Sequence, residues 1–156
     1  MGFMRIIVFL LITTNWLSGE QAMSAEGLIT LRSSYGPKET MSRFEAEVRA
    51  RAMTIFGHVD HAAGAAAVGL LLRPTDLLIF GAAKGGTPLM QAVQTIGIDL
   101  PLKALVWQDE AGSTFLSYND PAYVTHRHGV GDAAKPVIEA MAAALKEMAE
   151  KSTTAH

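Results

Sequence analysis

The hydrophobic positions change period several times along the chain, and each change marks an element. Leu28-Ile29-Thr30-Leu31-Arg32 is a β-favouring run closed by Ser33-Ser34-Tyr35-Gly36-Pro37, which predicts a strand and then a turn. From Lys38 the step becomes three and four. Met41, Phe44, Val48 and Ala52 form one stripe while Glu39, Arg43, Glu45, Glu47, Arg49 and Arg51 fill the other faces, which predicts an amphipathic helix. Glu45 with Arg49 and Glu47 with Arg51 stand four apart and read as a solvated charged face. Met53 to Val59 predicts a second strand, and Ala62 to Val68 a short helix or close crossing of small residues. After the break at Arg73-Pro74-Thr75, the unbroken apolar run in Asp76 to Gly81 predicts a strand buried on both faces. Gly81 through Gly86 reads as a loop, with Thr87 as N-cap and Pro88 opening a helix that runs to Ile96 and stops at Gly97. Leu102 to Gln108, the turn Asp109-Glu110-Ala111-Gly112 and the return Ser113 to Tyr118 form the clearest hairpin. Asn119 or Asp120 caps a helix start at Pro121. Asp132 to Lys151 carries Val137, Met141, Leu145 and Met148 at helical spacing, a long closing helix, with 152–156 as a disordered tail.

The order is strand, helix, four strands with small inserted helices, then a long helix. Such segregation predicts an α+β domain, an antiparallel sheet with helices packed on one face. A single-layer sheet leaves its other face bare. Phe80, Val106, Trp107, Phe115 and Leu116 supply more apolar bulk than a one-faced core of this size hides, so a homodimer built through the sheet is expected.

Residues 1–25 differ from the rest. Arg5 precedes the short apolar run Ile6 to Ile12, and a more polar stretch ends in Ser24-Ala25, the layout of a secretory signal peptide. Seven strongly apolar residues fall well short of the roughly 20 that a bilayer core requires. The expectation is a leader over 1–25, one domain over 26–151, a periplasmic or secreted location, and no membrane span once the leader is removed. Hydrophobic residues make up 49% of the chain and charged ones 18%, with 13 Lys and Arg against 15 Asp and Glu. A net charge of −2 offers no basic surplus for a phosphate backbone, so nucleic acid is not an expected partner. The absence of cysteine removes disulfides, thiolate metal sites and cysteine nucleophiles together.

Candidate chemistry is sparse. His58-Val59-Asp60-His61 holds imidazole and carboxylate groups suited to a metal or a haem axial position, but strand alternation sends His58 and Asp60 to one face and His61 to the other. Asp60 as a helix cap is the simpler reading of the same residues. His126-Arg127-His128 could share a metal only if extended, and Gly129 instead suggests a helix stop. If the chain folds His61 against His128, two histidines and Asp60 could form one site. Gly81 to Pro88, between a strand and a helix, suits a tight turn or an anion cradle, although it matches neither the Walker nor the dinucleotide glycine pattern. Asp60 with His61, and Lys103 near Asp99, are the acid-base pairs suggested by proximity, with no nucleophile motif beside them. Tyr118-Asn119 could present a phenol and an amide to a ligand. The eight methionines read mainly as gap-fillers.

Asp60-His61-Ala62-Ala63-Gly64, Leu78-Ile79-Phe80-Gly81 with Lys84, Gly86-Thr87-Pro88-Leu89-Met90, Asp99 to Trp107, Ser117 to Pro121 and Arg127-His128-Gly129 together resemble the domain of unknown function 302 family over roughly 28–150. The family's Asn-Pro-Lys after Gly81 is replaced here by Ala82-Ala83-Lys84. The resemblance implies a curved antiparallel sheet backed by helices, similar to the TATA-binding-protein-like class, and a tendency to dimerise. It implies Asp60, His61, Lys84, Lys103, Tyr118, Asn119 and His128 as candidates for a shared ligand site, and it carries no reaction. Three functional readings stand side by side: an exported homodimeric module for a small ligand, apolar, haem or metal, anchored by His61 or His128; an enzyme using Asp60 and His61 as acid-base pair, with Lys84 or Lys103 steadying an anionic substrate; and a structural or partner-binding domain without ligand.

Overall fold

The computed structural model describes residues 25–155. The leader expected over 1–25 lies, apart from Ala25, outside them. Strand β1 (Leu28–Arg32) leads into helix α1 (Pro37–Ala50), then β2 (Thr54–Asp60), the short helix α2 (His61–Ala67) and β3 (Thr75–Gly81). Helix α3 (Ala83–Ala92) and a 3₁₀ turn (Gln94–Ile98) precede the hairpin of β4 (Leu102–Gln108) and β5 (Thr114–Asn119). Helix α4 (Pro121–Arg127), a 3₁₀ turn (Asp132–Ala134) and helix α5 (Lys135–Thr153) complete the order. The five strands form one antiparallel sheet, β1-β5-β4-β3-β2, so the α+β architecture matches the pattern of the sequence.

Alternation along the strands decides which face is covered. Leu78 and Phe80 on β3, Ala104 and Val106 on β4, and Leu116 and Tyr118 on β5 all point to one side, where α1 and α5 lie. Phe44 and Val48 from α1 and Leu145 and Met148 from α5 close this core, with the Phe44 ring edge-on to Phe80 at 5.3 Å. Leu77, Ile79, Leu105, Trp107 and Phe115 face the other way and remain half-exposed. The expectation that β3 is buried on both faces therefore fails in the single chain: its apolar run fills a core on one side only. On the open face Trp107 stacks on Phe115 at 4.8 Å and donates from Nε1 to Ser117 Oγ at 2.9 Å, while Thr30 Oγ1 shares a 2.8 Å hydrogen bond with the same hydroxyl.

Three local readings are corrected. Ala52 is not on the α1 stripe, because the helix ends at Ala50 and Ala52 takes the left-handed conformation (φ 53°) that turns the chain into β2. The Glu47–Arg51 pair is more than a solvated face: Arg51 bonds Glu47 at 2.6 Å and reaches Glu147 on α5 at 2.9 Å, with Lys151 also on Glu147 at 2.7 Å. The tail expected over 152–156 is in part helix. Ser152 and Thr153 are buried, their hydroxyls donate to the Met148 and Ala149 carbonyls, and Ser34 N–H bonds the Thr153 carbonyl beside β1.

Candidate functional site

The seven candidate residues divide between the two ends of the sheet. Asp60 ends β2 and pairs in register with Asp76, whereas Thr54, at the start of the same strand, pairs with Gly81. Six residues of strand set these ends about 20 Å apart. Asp60 and His61 occupy one end; Lys84, Lys103, Asn119 and His128 gather at the other, with Tyr118 one residue inside it.

Asp60 is the N-cap of α2, its carboxylate accepting from Ala63 N–H at 2.8 Å. His61 is the first residue of that helix and is exposed. The chain turns from strand to helix between them, so the neighbours in sequence form no enclosed acid-base pair. His58 lies instead on the covered face, 3.9 Å from Glu45 and 3.8 Å from Asp76. Among the described residues no three His, Asp or Glu side chains converge as a metal site.

At the other end the focus is the Asp99–Pro101 segment. His128 Nε2 lies 2.6 Å from Asp99 Oδ2, Arg127 Nη1 approaches the same carboxylate at 3.4 Å, and Lys103 Nζ donates to the Asp99 and Pro101 carbonyls at 3.3 and 3.1 Å. Thr95 Oγ1 stands 3.5 Å from His128 Nδ1. The histidine is placed by α4, which Asp120 caps through Ala122 N–H and Gly129 stops in the left-handed region (φ 67°). His61 and His128 are thus not brought together, and Lys103 and His128 spend their polar atoms fixing a loop. Asn119 joins Asp99 and Lys103 around a void of about 20 Å³. Tyr118 is buried on the covered face, and burial, with Asp120 and Glu150 adding to it, pushes its phenol above the ordinary value.

That clamped loop is one wall of a much larger space. A cleft of about 690 Å³ runs between α3 and the first half of α5, floored by Met53, Phe56, Leu100, Pro101 and Leu102. It falls within the size range of small-molecule sites. Among the described residues Lys84 is the single charged one lining it, and it makes no hydrogen bond or ion pair with another of them. Thr87, one turn on along α3, also lines it. The Gly81 to Pro88 loop of the sequence reading does not exist as a loop. Helix α3 begins at Ala83, the N–H groups of Gly85 and Gly86 are taken by the Ala82 carbonyl, and Thr87 and Pro88 lie inside the helix. A proline at the first helical position is only one of the places it is tolerated; here α3 accepts the loss of the bond to the Lys84 carbonyl. The α5 wall was missed by sequence reasoning although its signal was present: Pro136, Ala140 and Ala144 recur every four residues as a stripe of small side chains. Among the described residues no histidine lines the cleft, so neither His61 nor His128 stands where it could anchor a haem or other ligand there.

Known proteins share this architecture. A crystal structure of an uncharacterized conserved DUF302 protein from Bacillus stearothermophilus superposes with a TM-score of 0.74 at 19% identity, covering 82% of this chain and 99% of that one. Proteins named fluoride-specific ion channel FluC 1 of Brucella suis and FluC 2 of Brucella melitensis are each 45% identical to 74% of this chain, matched over 45% and 43% of their own length. The chain therefore spans less than half of these relatives. The family model for the domain of unknown function DUF302 matches residues 29–148, which contain every strand but the first residue of β1 and most of α5, and the chain belongs to that family.

Proposed function

We propose that this domain binds a small, largely apolar ligand in the cleft between α3 and α5, acting as an exported homodimer. One observation carries the reading: a cleft of about 690 Å³ with an almost wholly apolar lining in which Lys84 is the one cation among the described residues. A space of this size loses little by opening to a ligand that removes its apolar walls from water. Loop 99–101, held by His128, Arg127 and Lys103, keeps one wall fixed before any ligand arrives. Export rests on the leader-like pattern of 1–25. Dimerisation rests on the open sheet face and on the exposed Val68, Leu70, Leu71 and Leu72 beyond α2.

Native mass spectrometry of the protein purified gently from separated envelope and cytoplasmic fractions tests all three. A dimer carrying a defined excess mass supports the reading; a monomer without excess, recovered from the cytoplasm, overturns it. The enzyme reading built on Asp60 and His61 gains nothing from the geometry, since the two stand at the end of the sheet away from the cleft. A partner-binding reading has one observation in its favour, the likeness to part of proteins named as fluoride channels. Under it the same exposed leucines would meet a membrane protein, and cross-linking in intact envelopes would recover that partner.

A further inference from the structure

Resting on the binding reading above, the geometry points to a long-chain carboxylate as the ligand, its chain along the trough between α3 and α5 and its head group at Lys84 and Thr87. Shape comes first. The α5 wall is a stripe from Pro136 to Ala144, about 12 Å of helix, and the α3 wall runs from Ala83 to Met90, so the space is longer than a compact ring needs. Small residues, Ala140 and Ala144 on one wall and Gly85 and Gly86 on the other, let the chain approach helix backbone closely. A Cβ at either glycine would stand in ordinary van der Waals range of side chains already there, the Met141 methyl at 3.7 Å and the Leu100 methyl at 3.5 Å, so these two share the space above the glycines with any ligand. Met53, Met90 and Met141 supply unbranched, polarizable side chains that conform to a flexible chain rather than to one rigid shape.

Charge comes second. Among the described residues no aspartate or glutamate lines the cleft, and its polar side chains are the Lys84 ammonium, a donor, and the Thr87 hydroxyl, which can donate or accept, three residues apart on α3. One ammonium beside a hydroxyl that can donate, with no carboxylate on the described walls, favours an anion over a cation. A singly charged head on an apolar chain places one charge at the one cation and leaves no other charge to desolvate. The anion could belong to a carboxylate or to a phosphate monoester, and the assay below separates them.

The test is calorimetric titration of the full protein with dodecanoate, dodecyl phosphate and dodecanol, repeated on Lys84→Gln and Ala140→Phe. Dodecanoate is expected to bind about tenfold more tightly than dodecanol, Lys84→Gln to bring it to the level of the alcohol, and Ala140→Phe to abolish both. Equal binding of dodecanol and dodecanoate by the parent protein overturns the head-group assignment and leaves the apolar cleft reading in place. Dodecyl phosphate binding while dodecanoate does not overturns the carboxylate. If none of the three binds, the excess mass on the purified protein decides between the two levels: a mass that Ala140→Phe removes keeps the cleft as a site for another ligand, and no mass at all ends both.

Discussion

His128 Nε2 and Asp99 Oδ2 stand 2.6 Å apart at the junction of α4 with the loop entering β4, and both side chains are largely buried. Through Asp99 the contact holds Leu100 and Pro101, which form part of the cleft wall. His128→Ala strands the Asp99 carboxylate with only a distant arginine and is expected to destabilise the fold by about 1–3 kcal/mol. It should also weaken ligand binding without touching the ligand. Urea denaturation and titration of the same variant check this, and unchanged affinity would mean that the loop keeps its place without the imidazole.

Asp60→Ala removes the cap of α2 and should cost about 1 kcal/mol, read from thermal or urea unfolding. Because the cap lies four strand residues, about 13 Å, beyond Phe56 at the cleft floor, ligand affinity should not change. A large loss of activity or affinity in this variant would restore Asp60 as a functional acid.

Phe44→Ala empties the centre of the core between α1 and β3 and is expected to cost about 3–5 kcal/mol. Chemical denaturation of the variant, if it is recovered folded, measures it.

Tyr118 gives the fold an alkaline limit. Burial, then Asp120 and Glu150, hold its phenol above 10.0, so the folded chain keeps that proton more tightly than the unfolded one. The resulting stabilisation is complete below pH 10 and is lost as pH rises from there towards the folded value. Stability measured across this range should fall for the parent and fall less for Tyr118→Phe.

Leu71 is fully exposed among Val68, Leu70 and Leu72. Leu71→Asp should leave the thermal midpoint of the single chain nearly unchanged and shift sedimentation from dimer to monomer if this edge meets a second copy. A dimer that persists would place the contact away from this segment, with the open sheet face as the alternative.

The strands were readable in the sequence because period-two alternation and the turn at Asp109–Gly112 are local signals; β1 falls at Leu28–Arg32 as expected, and the hairpin strands are displaced by one residue at most. Helix α3 was not. Pro88 draws a sequence reading towards a helix start, yet the helix had already begun at Ala83, and nothing local distinguishes the two. The site was the least legible part. Asp60 and His61 adjoin in sequence but serve a cap and an exposed turn, while Asp99 and His128, separated by 29 positions, meet only through the docking of α4 against the loop before β4. Lys84 could be picked out by family likeness, but its isolation as the one cation of an apolar cleft depends on α5, more than fifty residues further along the chain.

The sheet order has a consequence for how the chain acquires its structure. β1, made first, pairs with β5, and the Thr30–Ser117 hydrogen bond bridges 87 positions. The Ser34–Thr153 contact waits longer still, for the last turn of the closing helix. A nascent chain emerging from the ribosome therefore has no sheet partner for β1 until β5 has been synthesised, and closing that long connection is a non-local step. Among the described strands, the residues of β1 thus wait longest after their own synthesis for the strand that satisfies their backbone hydrogen bonds.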